Sequence, residues 1–504
     1  MKHQSIVSAL FKNAALHPNK IALIIGTEPN ITRVTYSELT HKILQSSKFL
    51  SDNGASKGQF VILSATQSTE FIVCYFALHL IGAIAVPVDP QLPSSKLQDI
   101  ANQCSSKIAI LSKFTEIKNT ITVLLLSSFT ENDGDEINLL KFPEPSEKAD
   151  LLFTTGTTGM PKGVILTHQN VLAGAKNINH FIQNTSQDIE LIPLPFNHSF
   201  GLARLRCNVL LGTTIVLANG FLLPGRIYRQ LEETKSTGFC SVPAGIAVLF
   251  KFGEDKLAQF KHQLKYIEIG SAPMSLEHKL KLMDLLPNTR ICMHYGLTEA
   301  SRSTFIEFHK DKDFLDSIGK STPGVQLEIR NNLARECLID ESGTINVKGD
   351  SVAKECLSSG NIVSKSGWLD TGDSGFLNSQ GYIFLSGRSS DMINIGGQKV
   401  APLEIENLLN LLPWVRDCAC IGVPDPNNIS GEVVKIYLVK NKKILDTKNI
   451  SDSDVILYLR DKVESYKIPS QIEWIDRIPK TKSGKTQRHL LRQVHKEKNG
   501  GVNA

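Results

Sequence analysis

From Ile21 to about residue 330 the chain alternates two patterns. Short apolar, β-branched runs recur at Ile21–Ile25, Phe60–Ser64, Ile84–Val88, Ile108–Leu111, Leu151–Thr154, Thr214–Leu217 and Tyr266–Ile269. Between them lie helix-length segments whose apolar positions repeat every three to four residues. Continuous apolar runs suit strands buried on both faces, so the alternation predicts α/β layers around mainly parallel sheets. Between about 325 and 387 the pattern shifts to short strands with Gly and Asp turns, as in Leu338–Val347 and Gly375–Leu385, which predicts a small antiparallel β-barrel or meander. After Gly387-Arg388 the pattern predicts a helix over Pro402–Leu412, strands near Asp417–Val423 and Val433–Val439, a helix over Asp452–Ser465 and a strand at Ile472–Trp474, a small α+β domain. The expected division is therefore 1–389 and 390–504, with a frayed polar tail from about Lys496.

The run Phe71–Val88 is long enough to raise a membrane span, but His79, Gly82 and Pro87 interrupt it. A buried helix feeding a buried strand is expected instead. Lys12 and His17 break the N-terminal apolar stretch, which reads as an amphipathic helix rather than a signal peptide. At 504 residues the chain is too long for a lone binding module, and 41% hydrophobic with 21% charged residues is the composition of a globular enzyme. A net charge of +5 suits anionic small ligands and gives no argument for nucleic acid. Nine cysteines without CxxC or Cys/His spacing read as reduced thiols in a cytoplasmic protein without structural zinc.

The most informative string is Phe153-Thr-Thr-Gly-Thr-Thr-Gly-Met-Pro-Lys-Gly163, after an apolar strand. Thr154, Thr155, Thr157 and Thr158 offer hydroxyls, Gly156 and Gly159 let backbone amides approach a ligand, and Lys162 adds a positive charge: a cradle for polyphosphate oxygens. Ser483-Gly-Lys-Thr486 ends like a Walker loop, but Pro479 occupies the first Gly position and too little chain follows. Pro479–Arg488 reads instead as a basic loop able to bring one lysine to an anion.

These strings, with Pro195-Phe-Asn-His-Ser-Phe-Gly201, Gly270-Ser-Ala-Pro273, Tyr295-Gly-Leu-Thr-Glu299, Gly367–Asp373 and Gly387–Pro402, follow one another in an order that resembles the adenylate-forming ligases: acyl- and aryl-CoA synthetases, peptide-synthetase adenylation domains and firefly luciferase. The resemblance implies a large N-terminal domain of layered α/β subdomains plus a small β-barrel, with a small mobile C-terminal α+β lid. It implies ATP, Mg²⁺ and coenzyme A, or the 4'-phosphopantetheine of an acyl carrier protein, and a two-step reaction. A carboxylate attacks the α-phosphorus of ATP and expels pyrophosphate; a thiol then takes the acyl group and releases AMP.

By the same resemblance, the 154–162 loop holds phosphates, Glu299 holds Mg²⁺ and Thr298 lies beside the α-phosphate. Gly270, Ser271, Ala272, Pro273 and Tyr295, with His294 and Gly296 beside it, form the adenine slot. Asp373 accepts from the ribose hydroxyls with Arg388 assisting, and Lys485 stabilises charge during adenylation. Gly396, Gly397 and Lys399 line a pantetheine channel, Ser390 or Asp391 serves as hinge, and His198 is a gate between acyl pocket and thiol channel, or else a buried structural histidine. Asn197, Ser241, Val242 and Arg302 are expected at the acyl pocket, with Arg302 either touching a polar acid or CoA phosphate, or facing solvent. Asn197-His198-Ser199 lacks the Asp that usually meets an α-ammonium, so a non-amino acid is favoured. A ligase loading a carrier protein and an amino-acid adenylation enzyme are the alternatives.

Overall fold

The computed structural model describes all residues except 1–2, 116, 118–120, 130–140, 155–161, 254, 332, 389–390, 396–397, 427–431, 442–443, 445–449, 461, 482–483 and 500–504. It divides into two compact units: Met1–Leu327 with Val347–Leu369, and Glu328–Asn346 with Asp370–Ala504.

In the first unit the described residues form two large sheets. The nine-stranded sheet runs Lys320–Ser321, Thr304–Glu307, Arg290–Tyr295, Tyr266–Ile269, Gly238–Ser241, Ile189–Ile192, Thr214–Leu217, Ile21–Ile25, Thr32–Thr35. The strands from Arg290–Tyr295 to Ile21–Ile25 are parallel and the edges antiparallel. The eight-stranded sheet runs Gly360–Asn361, Glu355–Cys356, Lys162–Thr167, Lys148–Thr154, Ile84–Val88, Phe60–Ser64, Ile108–Leu111, Thr122–Leu125. Six of the seven strands expected from apolar runs have the bounds expected; the seventh begins at Lys148 rather than Leu151.

The helix Thr69–Leu80 buries every residue from Phe71 to Leu80 and is followed by Ile84–Val88, so the long apolar run is a core helix and strand. Its polar interruption, His79, is held through one ring nitrogen: Nε2 lies 3.1 Å from the Ala149 carbonyl and 3.3 Å from Asp150. Arg206 completes that buried cluster, reaching Asp150 at 2.6 Å and the Tyr75 hydroxyl at 2.9 Å. Among the described residues no helix is long and apolar enough to cross a membrane. The expected amphipathic N-terminal helix is Ile6–Leu16, closed by a Ser5/Ser8 capping box that satisfies otherwise orphaned amides. All nine cysteines are free.

The strands Val325–Arg330, Gly343–Gly349, Leu369–Leu377 and Ile383–Arg388 pair in sequence order, a meander as expected. Beyond it, Val415–Pro424, Glu432–Lys440 and Gln471–Trp474 form a three-stranded sheet. The helices Pro402–Leu409 and Asp452–Arg460 end earlier than their apolar patterns suggest. Arg488–Asn499 is helical, with Leu491 packed on Tyr437 and Val439, and the rest of the expected frayed tail, 500–504, lies outside the described residues.

His168 opens the helix His168–Ile182 and is fully buried against His79, ring centroids 4.9 Å apart. Burial first, then His79, lowers its pKa to about 3. The folded chain thus refuses a proton that the unfolded chain accepts below about pH 6.5, so stability is complete above that pH and declines as pH falls toward the folded value. In denaturant melts between pH 6 and 4, His168→Phe should flatten the stability slope by about 1.4 kcal/mol per pH unit relative to wild type. Equal slopes would contradict the buried neutral histidine.

Candidate functional site

Most of the expected site residues in the first unit lie at carboxyl ends of parallel strands, where α/β sheets bind ligands. Ile189–Ile192 leads to Asn197 and His198, Gly238–Ser241 ends at Ser241-Val242, Tyr266–Ile269 runs into Gly270–Pro273, and Arg290–Tyr295 carries His294, Tyr295 and the turn to Glu299. Gly270 has a steric reason: a Cβ there would lie 2.1 Å from the His294 ring. Its N–H donates to the Ser241 carbonyl at 3.3 Å, joining two strand ends. Ser271 follows with φ 75°, a left-handed conformation that is uncommon for a residue with a side chain. Thr298 and Glu299 sit inside a turn closed by reciprocal bonds between Leu297 and Ala300, 3.0 and 3.2 Å.

The Thr/Gly string connects two antiparallel strands, with Thr154 opposite Lys162 and its hydroxyl 3.4 Å from the Lys162 carbonyl. Thr155, Gly156, Thr157, Thr158 and Gly159 lie outside the described residues, but the base of the hairpin is defined. Lys162 Nζ stands 3.5 Å from Glu299 Oε1, and the Glu299 carbonyl accepts from Ala353 N–H at 2.7 Å. This half-exposed ion pair adds little stability by itself. It does place a cation and a carboxylate side by side, ready to meet phosphate oxygens and a divalent metal. Among the described residues no three His, Cys, Asp or Glu side chains converge on a metal site. A single carboxylate still fits Mg²⁺, which takes its other ligands from phosphates and water.

Beneath these strand ends lies an ionic network that motif reading did not single out. Arg204, on the helix Ser199–Leu211, donates through Nε to Glu190 at 2.7 Å, bonds the same carboxylate through Nη2, and lies 3.2 Å from Glu268 through Nη1. The Tyr266 hydroxyl donates to Glu190 at 2.6 Å. Glu268 also accepts from Arg302 Nε at 3.0 Å and lies 2.8 Å from His294 Nδ1. Glu190, Arg204 and Glu268 have no exposed surface. Burial alone would raise the Glu268 pKa, but Arg302 and Arg204 hold it well below the carboxylate range. Burial, reinforced by Arg302, lowers His294 to about 4, so the ring is neutral. The sequence signal was a charge inside an apolar run, Ile189-Glu-Leu-Ile and Tyr266-Ile-Glu-Ile.

Two expectations change here. Arg302 is 2% exposed and engaged with Glu268, so a solvent-facing arginine is ruled out. His198 is exposed at the start of its helix, so it is not a buried structural histidine. Ser241 is buried, its hydroxyl 3.0 Å from the Val242 carbonyl; Val242 and Asn197 are half-buried.

In the second unit, Asp373 is buried opposite Arg388 across antiparallel strands, its N–H 3.2 Å from Thr371 Oγ1. Asp391 pairs with Arg488 at 3.4 Å and Arg492 at 3.2 Å, and Arg488 grips Glu406 at 2.6 and 2.7 Å. Lys485 is exposed on a short loop closed by the Lys480–Thr486 bridge and by Thr481 N–H to the Lys485 carbonyl, 2.8 Å. Lys399 lies on the strand Gln398–Val400, opposite Asn394. Ser390, Gly396 and Gly397 lie outside the described residues.

The chain resembles known proteins over nearly its whole length. A family model described as AMP-binding enzyme matches residues 10–357, and the AMP-binding enzyme C-terminal domain matches 404–485. The chain is 28% identical to 2-succinylbenzoate–CoA ligase of Bacillus subtilis, over 97% of this chain and 98% of that protein. It is 26% identical to crotonobetaine/carnitine–CoA ligase of Proteus mirabilis, over 95% and 97%. Among solved structures, o-succinylbenzoate CoA synthetase (MenE) of Bacillus subtilis with its acyl-adenylate OSB-AMP superposes with a TM-score of 0.85 at 26% identity, covering 98% of this chain and 99% of that one. The same enzyme is known with ATP and magnesium ion, TM-score 0.84. ATP-bound MatB from Rhodopseudomonas palustris shares the fold, TM-score 0.88 at 22% identity, covering 98% and 99%. With its α/β sheets, antiparallel meander, C-terminal α+β elements and a match over more than half its length, the chain belongs to the AMP-binding enzyme family, the AMP-forming acid–CoA ligases.

Proposed function

We propose that this protein activates a non-amino carboxylic acid with ATP and Mg²⁺ and transfers the acyl group to coenzyme A. The observation that carries the proposal is the Lys162–Glu299 pair at the mouth of the Thr/Gly hairpin. ATP binding would replace that pair by two stronger ones, Lys162 with the β- and γ-phosphates and Glu299 with their metal ion, so opposite charges are in place before the ligand arrives. Ser271 and Tyr295 flank the adenine, Asp373 takes the ribose hydroxyls, and Lys485 meets the charge that develops as the carboxylate attacks the α-phosphorus. Thiol attack on the acyl carbonyl then expels AMP. Residues 390–504 serve as the lid, with Ser390 or Asp391 at its hinge.

Support for a non-amino acid is electrostatic. An ammonium group needs a partner carboxylate when it leaves water, at a cost of at least several kcal/mol without one. No acid stands at Asn197-His198-Ser199, and the buried acids Glu190 and Glu268 are already matched by Arg204 and Arg302.

Pyrophosphate release should be measured for matched acids with and without an α-amino group, in the presence and absence of CoA. The des-amino member is expected to be faster in every pair, with thioester accumulating only when CoA is present; consistently faster amino acids would overturn the substrate class. Lys485→Ala should slow pyrophosphate release by about 10²–10³-fold, as for loss of one donor at a developing charge, while thioester formation from supplied acyl-adenylate persists. Wild-type pyrophosphate release by that variant would remove Lys485 from the first step.

A further inference from the structure

We propose that Arg302 is a positioning residue for the acyl end of the site, clamping the turn that carries His198 to the strand ends that form the adenine slot. The inference rests on the ligase reading above. Arg302 has φ 53°, a left-handed conformation rare for a side chain of its size. It is held there by close packing and a hydrogen bond: a Cβ on Gly296 would lie 2.5 Å from Arg302 N, and the Thr322 hydroxyl donates to its carbonyl at 3.1 Å.

From that backbone position the guanidinium spreads over three segments. Nε donates to Glu268 at 3.0 Å, Nη2 to the Phe200 carbonyl at 3.2 Å, and Nη1 to Ser301 Oγ at 3.0 Å and the Ser199 carbonyl at 3.5 Å. Its carbon lies 4.6 Å from the centre of the Phe200 ring, and the His294 ring meets Phe200 edge-on at the same 4.6 Å.

Helix stability does not explain this placement. Ser199 and Phe200 form the first turn of Ser199–Leu211, the positive end of a helix, where a cation is disfavoured. Glu268 offsets that repulsion, and the planar fork reaches Glu268, the Phe200 carbonyl and Ser301 through three separate nitrogens, a spread that the single nitrogen of a lysine does not have. The adenine side has further anchors, the Leu297–Ala300 turn, Gly270 to Ser241 and Ala353 to Glu299. The His198 turn has a bond from His198 N–H to Pro195 at 3.4 Å and one from Leu202 N–H to His198 at 3.2 Å. Two of the fork's four acceptors are the Ser199 and Phe200 carbonyls that directly follow His198, so loss of the fork should loosen the acyl wall before it disturbs nucleotide binding.

The test uses the full chain with acetate, hexanoate, decanoate, benzoate and 4-hydroxybenzoate, following pyrophosphate release. Arg302→Lys keeps the charge opposite Glu268 and shortens the reach. It should raise KM for the fastest acid about 10-fold and narrow discrimination between hexanoate and decanoate, with the KM for ATP within about twofold, as expected for a small misplacement at one end of a site. Should Arg302→Lys fail to fold, Arg302→Gln, which leaves Glu268 in place and keeps a planar donor facing it, is read in the same way. Equal rises in both KM values, an unchanged acid KM in a folded variant, or failure of both variants to fold would assign Arg302 to stability alone and overturn the inference. If the wild-type chain releases no pyrophosphate with any acid of the panel, the ligase reading itself fails, a result distinct from any of these.

Discussion

A negative charge held away from water organises the candidate site of the first unit. Glu268 sits in the middle of a parallel strand with no exposed surface, and it is stable there only because Arg204, Arg302 and neutral His294 converge on it. Removing one partner from such a pair typically costs about 3–5 kcal/mol, a large share of a domain's stability. The partners come from separate places in the chain: the helix after His198, the strand before Tyr295 and the loop after Glu299. Satisfying one carboxylate therefore fixes the relative positions of three segments that each carry candidate site residues.

Several close approaches follow from that arrangement. Gly238 has no room for a side chain because the Tyr266 ring crosses it, 2.2 Å from where a Cβ would stand, on the way to Glu190. Gly270 yields its space to His294 in the same way. These glycines are small because the Tyr266 and His294 rings, which reach into the charged network, occupy the space beside them. In the second unit Arg488 has a comparable part on a smaller scale, tying Glu406 and Asp391 to the helix that follows Lys485.

The fold was largely legible because its central strands are continuous apolar runs, and Phe60–Ser64 or Ile84–Val88 admit no other reading between turn signals. Among the strands that the apolar pattern did not single out are three inner ones of the nine-stranded sheet, Ile189–Ile192, Gly238–Ser241 and Arg290–Tyr295. Two of these carry members of the network, Glu190 and His294, and the other carries the glycine beside it, so buried polar side chains and a glycine interrupt the apolar pattern there. The phosphate string, Glu299, Asp373 and Lys485 were visible as short ordered motifs. Arg302 drew notice only as an oddity, since burial and the partner on a distant strand cannot be read from spacing. Its surroundings depend on a contact 34 positions away in sequence.

The chemistry proposed here has a signature in the fate of one atom. When a carboxylate oxygen attacks the α-phosphorus and a thiol later displaces the adenylate at carbon, that oxygen remains on the phosphorus. An acid labelled with ¹⁸O in its carboxylate, incubated with the enzyme, ATP, Mg²⁺ and CoA, should give AMP carrying one labelled oxygen and unlabelled pyrophosphate. Label appearing in inorganic phosphate beside ADP would mean an acyl phosphate intermediate and would contradict the adenylate mechanism.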